Sequence, residues 1–241
     1  MRALAIVGAA LFVSACHSGG NAEETRPTAQ RDFQVGAFDR ISLSGSPNII
    51  VTVGGAPSVH AEGDAELIER LEVKVEGGQL QVGYRESTSW FSFRHHRGVT
   101  LRVTVPSLAG AQIGGSGDIR IDRVEGPRFA AAIAGSGDIE IATMAVGEAS
   151  FGVTGSGGIR AAGRAERASA AVTGSGDIDL ARLEAGDATL AVTGSGDVGI
   201  RATRTATVEI RGSGDITVAG PARCTVSKSG SGDAHCEGPT A

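Results

Sequence analysis

Large aromatic side chains are scarce in this chain of 241 residues, which has one Trp, one Tyr and seven Phe. A core of bulky rings is therefore excluded, and small aliphatic layers must do the packing. Basic runs are missing too, and a formal net charge of -5 argues against nucleic acid as a partner. No apolar stretch is long enough to span a bilayer as a stable helix, since the longest begins at Ala3 and stops at Val13. Cysteine is limited to Cys16, Cys224 and Cys236.

Glycine, by contrast, is abundant, with 37 residues. Much of it sits in a recurring phrase: "GGSGDIRI" at residues 114 to 121 returns as "AGSGDIEI", "TGSGDIDL", "TGSGDVGI" and "RGSGDITV". The Gly-Ser-Gly triplets begin at Gly115, Gly135, Gly155, Gly174, Gly194, Gly212 and Gly230, at intervals of 20, 20, 19, 20, 18 and 18 residues. A period near 20 with no helical run between copies predicts a solenoid in which each unit is one coil resting on its neighbours. "LSGSPNIIV", with Gly45-Ser46 ahead of Ile49 and Ile50, reads as a degenerate eighth copy.

Aligned on the first Gly, the copies alternate. Four and two residues before it stand pairs such as Ala131 and Ile133, or Leu190 and Val192, and four and six residues after it stand Ile139 and Ile141, or Val198 and Ile200. The opposite parity carries the Ser, the Asp, and then Arg120, Glu140, Arg160 and Asp179. This is strand patterning with β-branched residues inward. Both glycines of each triplet fall on the inward parity, where missing side chains permit a sharp bend or a close approach of walls. One coil buries nothing alone, so stacking at about 4.8 Å makes the core. The expected fold is all-β, a parallel β-helix.

Chemical readings of Gly-Ser-Gly-Asp fare poorly. A hydrolase elbow needs Gly-x-Ser-x-Gly and a recurring His, and a phosphate loop needs Lys followed by Ser or Thr and a helix. A polysaccharide-cleaving β-helix would keep a pair of carboxylates with a basic neighbour on one wall, and none recurs here. Calcium is a closer alternative, because repeats of the Gly-Gly-x-Gly-x-Asp kind bind it between coils. Its ligands would be Asp118, Asp138, Asp177, Asp197, Asp215 and Asp233, although the Asp arrives one residue early for that motif. The competing reading has each Asp accepting N–H groups of its turn. No enzyme activity and no cofactor are expected.

"MRALAIVGAALFVSAC" has one Arg, an apolar stretch and small residues before a Cys. It is similar to a bacterial lipoprotein signal over residues 1–15, with Cys16 lipidated and anchoring the chain to membrane. His17 in place of Asp directs the anchor, by analogy, to an outer membrane. Residues 16–31 then form a polar tether, and 32–241 the β-helix. Export suits a disulfide between Cys224 and Cys236, which share inward parity in the last repeat and would staple the final coil. A metal pair there would have only His235 nearby.

From Asp32 to Val105 the pattern is less regular, with turns at Gly54-Gly55 and Gly77-Gly78 and a brief helical turn from Ala65 to Arg70. It reads as the start of the same solenoid. "STSWFSFRHHRG" interrupts it as an exposed loop bearing Trp90, Phe91, Phe93, His95 and His96, which would pack over the open N-terminal end or form a contact surface.

Phe38 to Ile41, "EVKVEGGQLQVGY", "LRVTVPSL" and the serial "GSGDI" copies together resemble the putative auto-transporter adhesin, head GIN domain family, over nearly the whole chain after the tether. The resemblance implies a right-handed, single-stranded β-helix and an adhesin-like role, and carries no catalytic residues. Gly158 in place of Asp and Lys228 in place of an inward aliphatic are this chain's departures from its own repeat. The expected protein is a non-enzymatic cell-envelope lipoprotein whose Ser, Thr and Asp walls meet a glycan or an envelope protein. A periplasmic structural or stress-linked scaffold, and a calcium- or glycan-binding β-helix, are the alternatives.

Overall fold

The computed structural model describes residues 27–85 and 98–239. The signal stretch, Cys16 and the Trp90 to Arg97 loop lie outside the described residues.

Alternating β-branched and polar residues become strand almost throughout. Ahead of the repeats run β1 (Thr28–Phe33), β2 (Arg40–Gly45), β3 (Asn48–Val53), β4 (Ser58–Asp64), α1 (Ala65–Arg70), β5 (Leu71–Glu76), β6 (Gln79–Tyr84), β7 (Thr100–Val105), β8 (Gly110–Gly115) and β9 (Ile119–Ile121). The repeats follow as β10 (Val124–Gly135), β11 (Asp138–Gly155), β12 (Gly158–Gly174), β13 (Asp177–Gly194), β14 (Val198–Gly212), β15 (Ile216–Ala219), β16 (Arg223–Gly230) and β17 (Ala234–Cys236). All join in one sheet wound into a β-solenoid of about 6 turns, each of roughly 20 residues.

Stacking is in register. Gly45, Gly115, Gly135, Gly155, Gly174, Gly194, Gly212 and Gly230 lie one above another, so "LSGSPNIIV" is indeed a copy of the repeat. Ile49, Ile119, Ile139, Ile159, Ile178, Val198 and Ile216 form one inward column, each at most 1% exposed. At about 25 cal/mol per Å² of apolar surface removed from water, such columns supply driving force beyond what the few buried rings, Phe38, Phe129 and Phe151, provide.

The N-terminal segment departs from simple winding. Strands β6 and β7 stack outside β2 and β3, so Ile41 lies between Leu80 and Ala111, all three fully buried. Beyond that coil the pairing turns antiparallel: β5 returns against β6 through Gly77 and Gly78 (φ +57° and +75°), and β4 and β1 line up outside β7. A two-residue turn with both φ positive suits glycine. These antiparallel strands occupy the edge that a parallel stack would leave open. β1 starts at Thr28, inside the stretch read as tether, because Phe33 and its neighbours find partners in β4. The helix forms where expected: Asp64 Oδ1 accepts the N–H groups of Glu66 and Leu67 at 3.0 and 3.4 Å, capping α1 while Leu67 and Ile68 are buried.

Candidate interaction walls

Each coil turns at Gly-Ser-Gly. The N–H groups of Ser156 and Gly157 both donate to the carbonyl of Gly135 one coil below, at 2.9 and 3.1 Å, and most other coils repeat the pattern. The two glycines have different duties. The first is half-buried with positive φ, +122° at Gly155; the second is buried, and a Cβ on Gly157 would overlap the carbonyl oxygen of Gly137. Only the second is therefore fully inward, a refinement of the parity reading. The serines between them are exposed.

The aspartates continue the ladder. Oδ1 of Asp118 accepts the N–H of Asp138 at 3.1 Å, that of Asp177 the N–H of Asp197 at 2.9 Å, that of Asp197 the N–H of Asp215 at 2.8 Å, and that of Asp215 the N–H of Asp233 at 2.7 Å. Asn48 performs the same service for Asp118 at 3.0 Å in the degenerate copy. Among the described residues no three carboxylate, imidazole or thiol groups converge as a metal ligand set would.

Beyond the Asp column the outward residues alternate in sign from coil to coil. Arg120, Glu140, Arg160 and Asp179 are successive neighbours on one wall. Arg128, Glu148, Arg167 and Asp187 are successive neighbours on the connecting segment. In-register stacking explains this, because like charges about 5 Å apart repel by about 0.8 kcal/mol even in water. The wall that precedes each Gly-Ser-Gly is different. From β8 to β13 its outward columns read Gly114, Ala134, Thr154, Thr173 and Thr193, and beside them Gln112, Ala132, Gly152, Ala171 and Ala191, with no charge until Glu209 and Arg211 pair on β14.

Residues 37–222 match the family described as putative auto-transporter adhesin, head GIN domain. The chain belongs to this family. The head GIN fold is also that of solved structures. A putative adhesin from Bacteroides fragilis aligns at TM-score 0.81 and 23% identity, over 88% of this chain and 98% of that one. A putative adhesin from Parabacteroides distasonis aligns at 0.71 and 17%, over 88% and 98%. A protein of the same species described as a putative lipid binding protein aligns at 0.62 and 20%, over 90% and 96%. No curated protein matches.

In the last turn, just beyond the matched residues, the Cα atoms of Cys224 and Cys236 lie 6.6 Å apart, inside disulfide range. Sequence reasoning missed one feature of the connecting segment. Arg204 lies over Gly186 and clamps Asp187, its Nη2 at 2.6 Å from Oδ2 and its Nε at 3.3 Å from Oδ1, while Thr205 Oγ1 donates to Oδ1 at 2.8 Å. These bonds hold the Asp187 carboxyl below the usual carboxylate range, the Arg204 bond first and the Thr205 bond second. Gly186, outside any triplet, was the available signal: a lone glycine in a strand marks a close approach. No described helix is long and apolar enough to cross a membrane.

Proposed function

We propose that this head GIN protein is a non-enzymatic, envelope-anchored interaction module whose contact face is the uncharged wall from β8 to β13. The carrying observation is the contrast between walls: two regions alternate charges coil by coil, while this face keeps to Ser, Thr, Ala, Gly and one Gln. A charged face must be desolvated to bind, whereas a flat face of small side chains and hydroxyls meets a partner at little cost. A glycan or an envelope protein, both rich in hydrogen-bonding groups, suits it. Anchoring through lipidated Cys16 after the Val13-Ser14-Ala15 sequence, in an outer membrane as His17 suggests, belongs to the same reading. So does a Cys224 to Cys236 disulfide in an oxidising compartment.

The test sets Thr173→Asp together with Thr193→Lys on the wall against Arg160→Ser on the charged side. Saturable binding to a glycan array or to isolated envelope should be lost in the first and kept in the second. The reverse outcome would move the contact face, and no binding by the parent would favour the scaffold reading. In parallel, Cys16→Ser should abolish membrane fractionation of the mature protein.

A further inference from the structure

The two ends of the stack are finished in different ways. At the N-terminal end the glycine column starts at Gly45, and the ring of Tyr84 lies against it, 3.7 Å from where a Gly45 Cβ would be. Antiparallel β5, β4 and β1 complete that side. At the C-terminal end the chain after β17 covers only the start of β16, where the Pro239 carbonyl accepts the N–H of Cys224 at 2.9 Å, and the described chain places no further strand over β16 and β17. Val226, Ala234 and Cys236, which occupy inward columns, are only half-buried.

Two features of a coil recruit the next one here, the inward aliphatic column and the Asp oxygen that accepts the next N–H. In the last coil a single contact closes both. Below Lys228 the column holds Ile113, Ile133, Val153, Val172, Val192 and Ile210, each at most 2% exposed. Lys228 replaces the aliphatic residue, and its Nζ donates to Asp233 Oδ1 at 2.9 Å. That oxygen is the one that takes the next coil's N–H in the copies below. An ion pair this exposed, with side chains 42% and 83% accessible, adds little stability in water. A charge at an inward position of an edge strand does something else: burying it under another strand requires stripping its water.

We propose that the Lys228 to Asp233 pair keeps the protein from joining end to end with a second copy, terminal coil against terminal coil. The second copy is the fitting occupant because it alone brings the same unfinished aliphatic columns and the same strand length. Joined through this one face on both copies, terminal coil to terminal coil, the product is a closed two-fold dimer, with β16 antiparallel to its counterpart, and not a fibre.

The experiment uses the full-length chain carrying Cys16→Ser, so that no lipid drives association. Sedimentation equilibrium and amide exchange are compared for the parent, Lys228→Val, Lys228→Arg and Lys228→Val with Asp233→Asn. The parent and Lys228→Arg should stay monomeric. Both Val variants should dimerise at least about tenfold more tightly, with new exchange protection confined to residues 223–236. Should Lys228→Val fail to fold, Lys228→Gln, which removes the charge alone, gives the same reading at weaker association. Monomeric Val and Gln variants, a dimeric parent, protection elsewhere, or growth into filaments would each overturn the proposal.

Discussion

Asp138 Oδ1 accepts the backbone N–H of Gly158 at 2.8 Å, and there the ladder breaks. Gly158 has no carboxylate to offer, so the N–H of Asp177 turns instead to the carbonyl of Gly157 at 3.2 Å. The repeat thus shows both what the aspartates do and that one coil folds without it. The acceptor matters and the charge does not, because Asn48 already serves Asp118 with an amide oxygen. Asp138→Asn should therefore melt like the parent, while Asp138→Ala should cost about 0.5–1.5 kcal/mol, the net value of one hydrogen bond. Denaturant midpoints with calcium and with chelator check this. A calcium-dependent rise that Asp138→Asn removes would make the column an ion site.

The corner itself makes a sharper demand. A side chain on Gly176 would run into the carbonyl of Gly157 and lie 2.6 Å from Val153 Cγ1, and neither backbone nor packed valine can yield cheaply. Gly176→Val should cost about 3 kcal/mol, at the upper end of ordinary overpacking. Ser175, one residue earlier, is exposed. Ser175→Ala should change stability by less than about 0.5 kcal/mol. Urea melts of the two variants decide between a turn and a site, since a serine-dependent activity would reverse their importance.

How much of this was legible beforehand follows the periodicity. From Gly115 onward the inward parity, the stack and the degenerate copy at Gly45 were all readable, because in-register coils repeat every constraint. The winding order of the segment before Val105 was not, since β6 and β7 stack outside β2 and β3 against chain order, and no local pattern says which of two similar coils lies further out. α1 was legible from its own residues, Ala65 to Arg70, and the structure adds its cap, Asp64. The alternation of charge was in the sequence too, but it acquires meaning only once Arg120, Glu140 and Arg160 are known to be neighbours across coils.

Tyr84 gives a test of the N-terminal cap without mutation. Burial pushes its phenol up to about 12 from 10.0, against a smaller opposing effect of Arg70, and it is the chain's one Tyr. Ultraviolet difference titration should therefore show a single phenol ionising near 12 in the folded protein and near 10 in denaturant. For a group that is neutral when protonated, a raised folded value means that its contribution is fully present below the unfolded value. It fades as pH climbs through the folded one. Stability should accordingly fall between about pH 10 and 12. Folded-state ionisation near 10 would mean that the ring does not lie covered against Gly45.

The Asp187 clamp offers the remaining test, and it separates geometry from charge. Arg204 reaches Asp187 only because Gly186 lacks a side chain: a Cβ there would fall on the guanidinium. Gly186→Ala should therefore displace Arg204 and let the Asp187 carboxyl rise towards the ordinary range, although no charge has been altered. Arg204→Met should raise it as well, by removing the first-ranked hydrogen bond outright, while Thr205→Val should raise it less, since that bond is the smaller cause. Carboxyl carbon titration by NMR reads all three. The sign of the stability effect follows from the depressed folded value. The contribution of the clamp is complete above the unfolded carboxylate value and is lost as pH falls through the folded one. Any difference in midpoint between parent and Arg204→Met should then shrink in acid, and it should be small even at neutral pH, because both side chains are solvent-accessible. If the Asp187 carboxyl titrates identically in the parent and in Gly186→Ala, the guanidinium does not need the space that this glycine leaves, and the clamp as described is wrong.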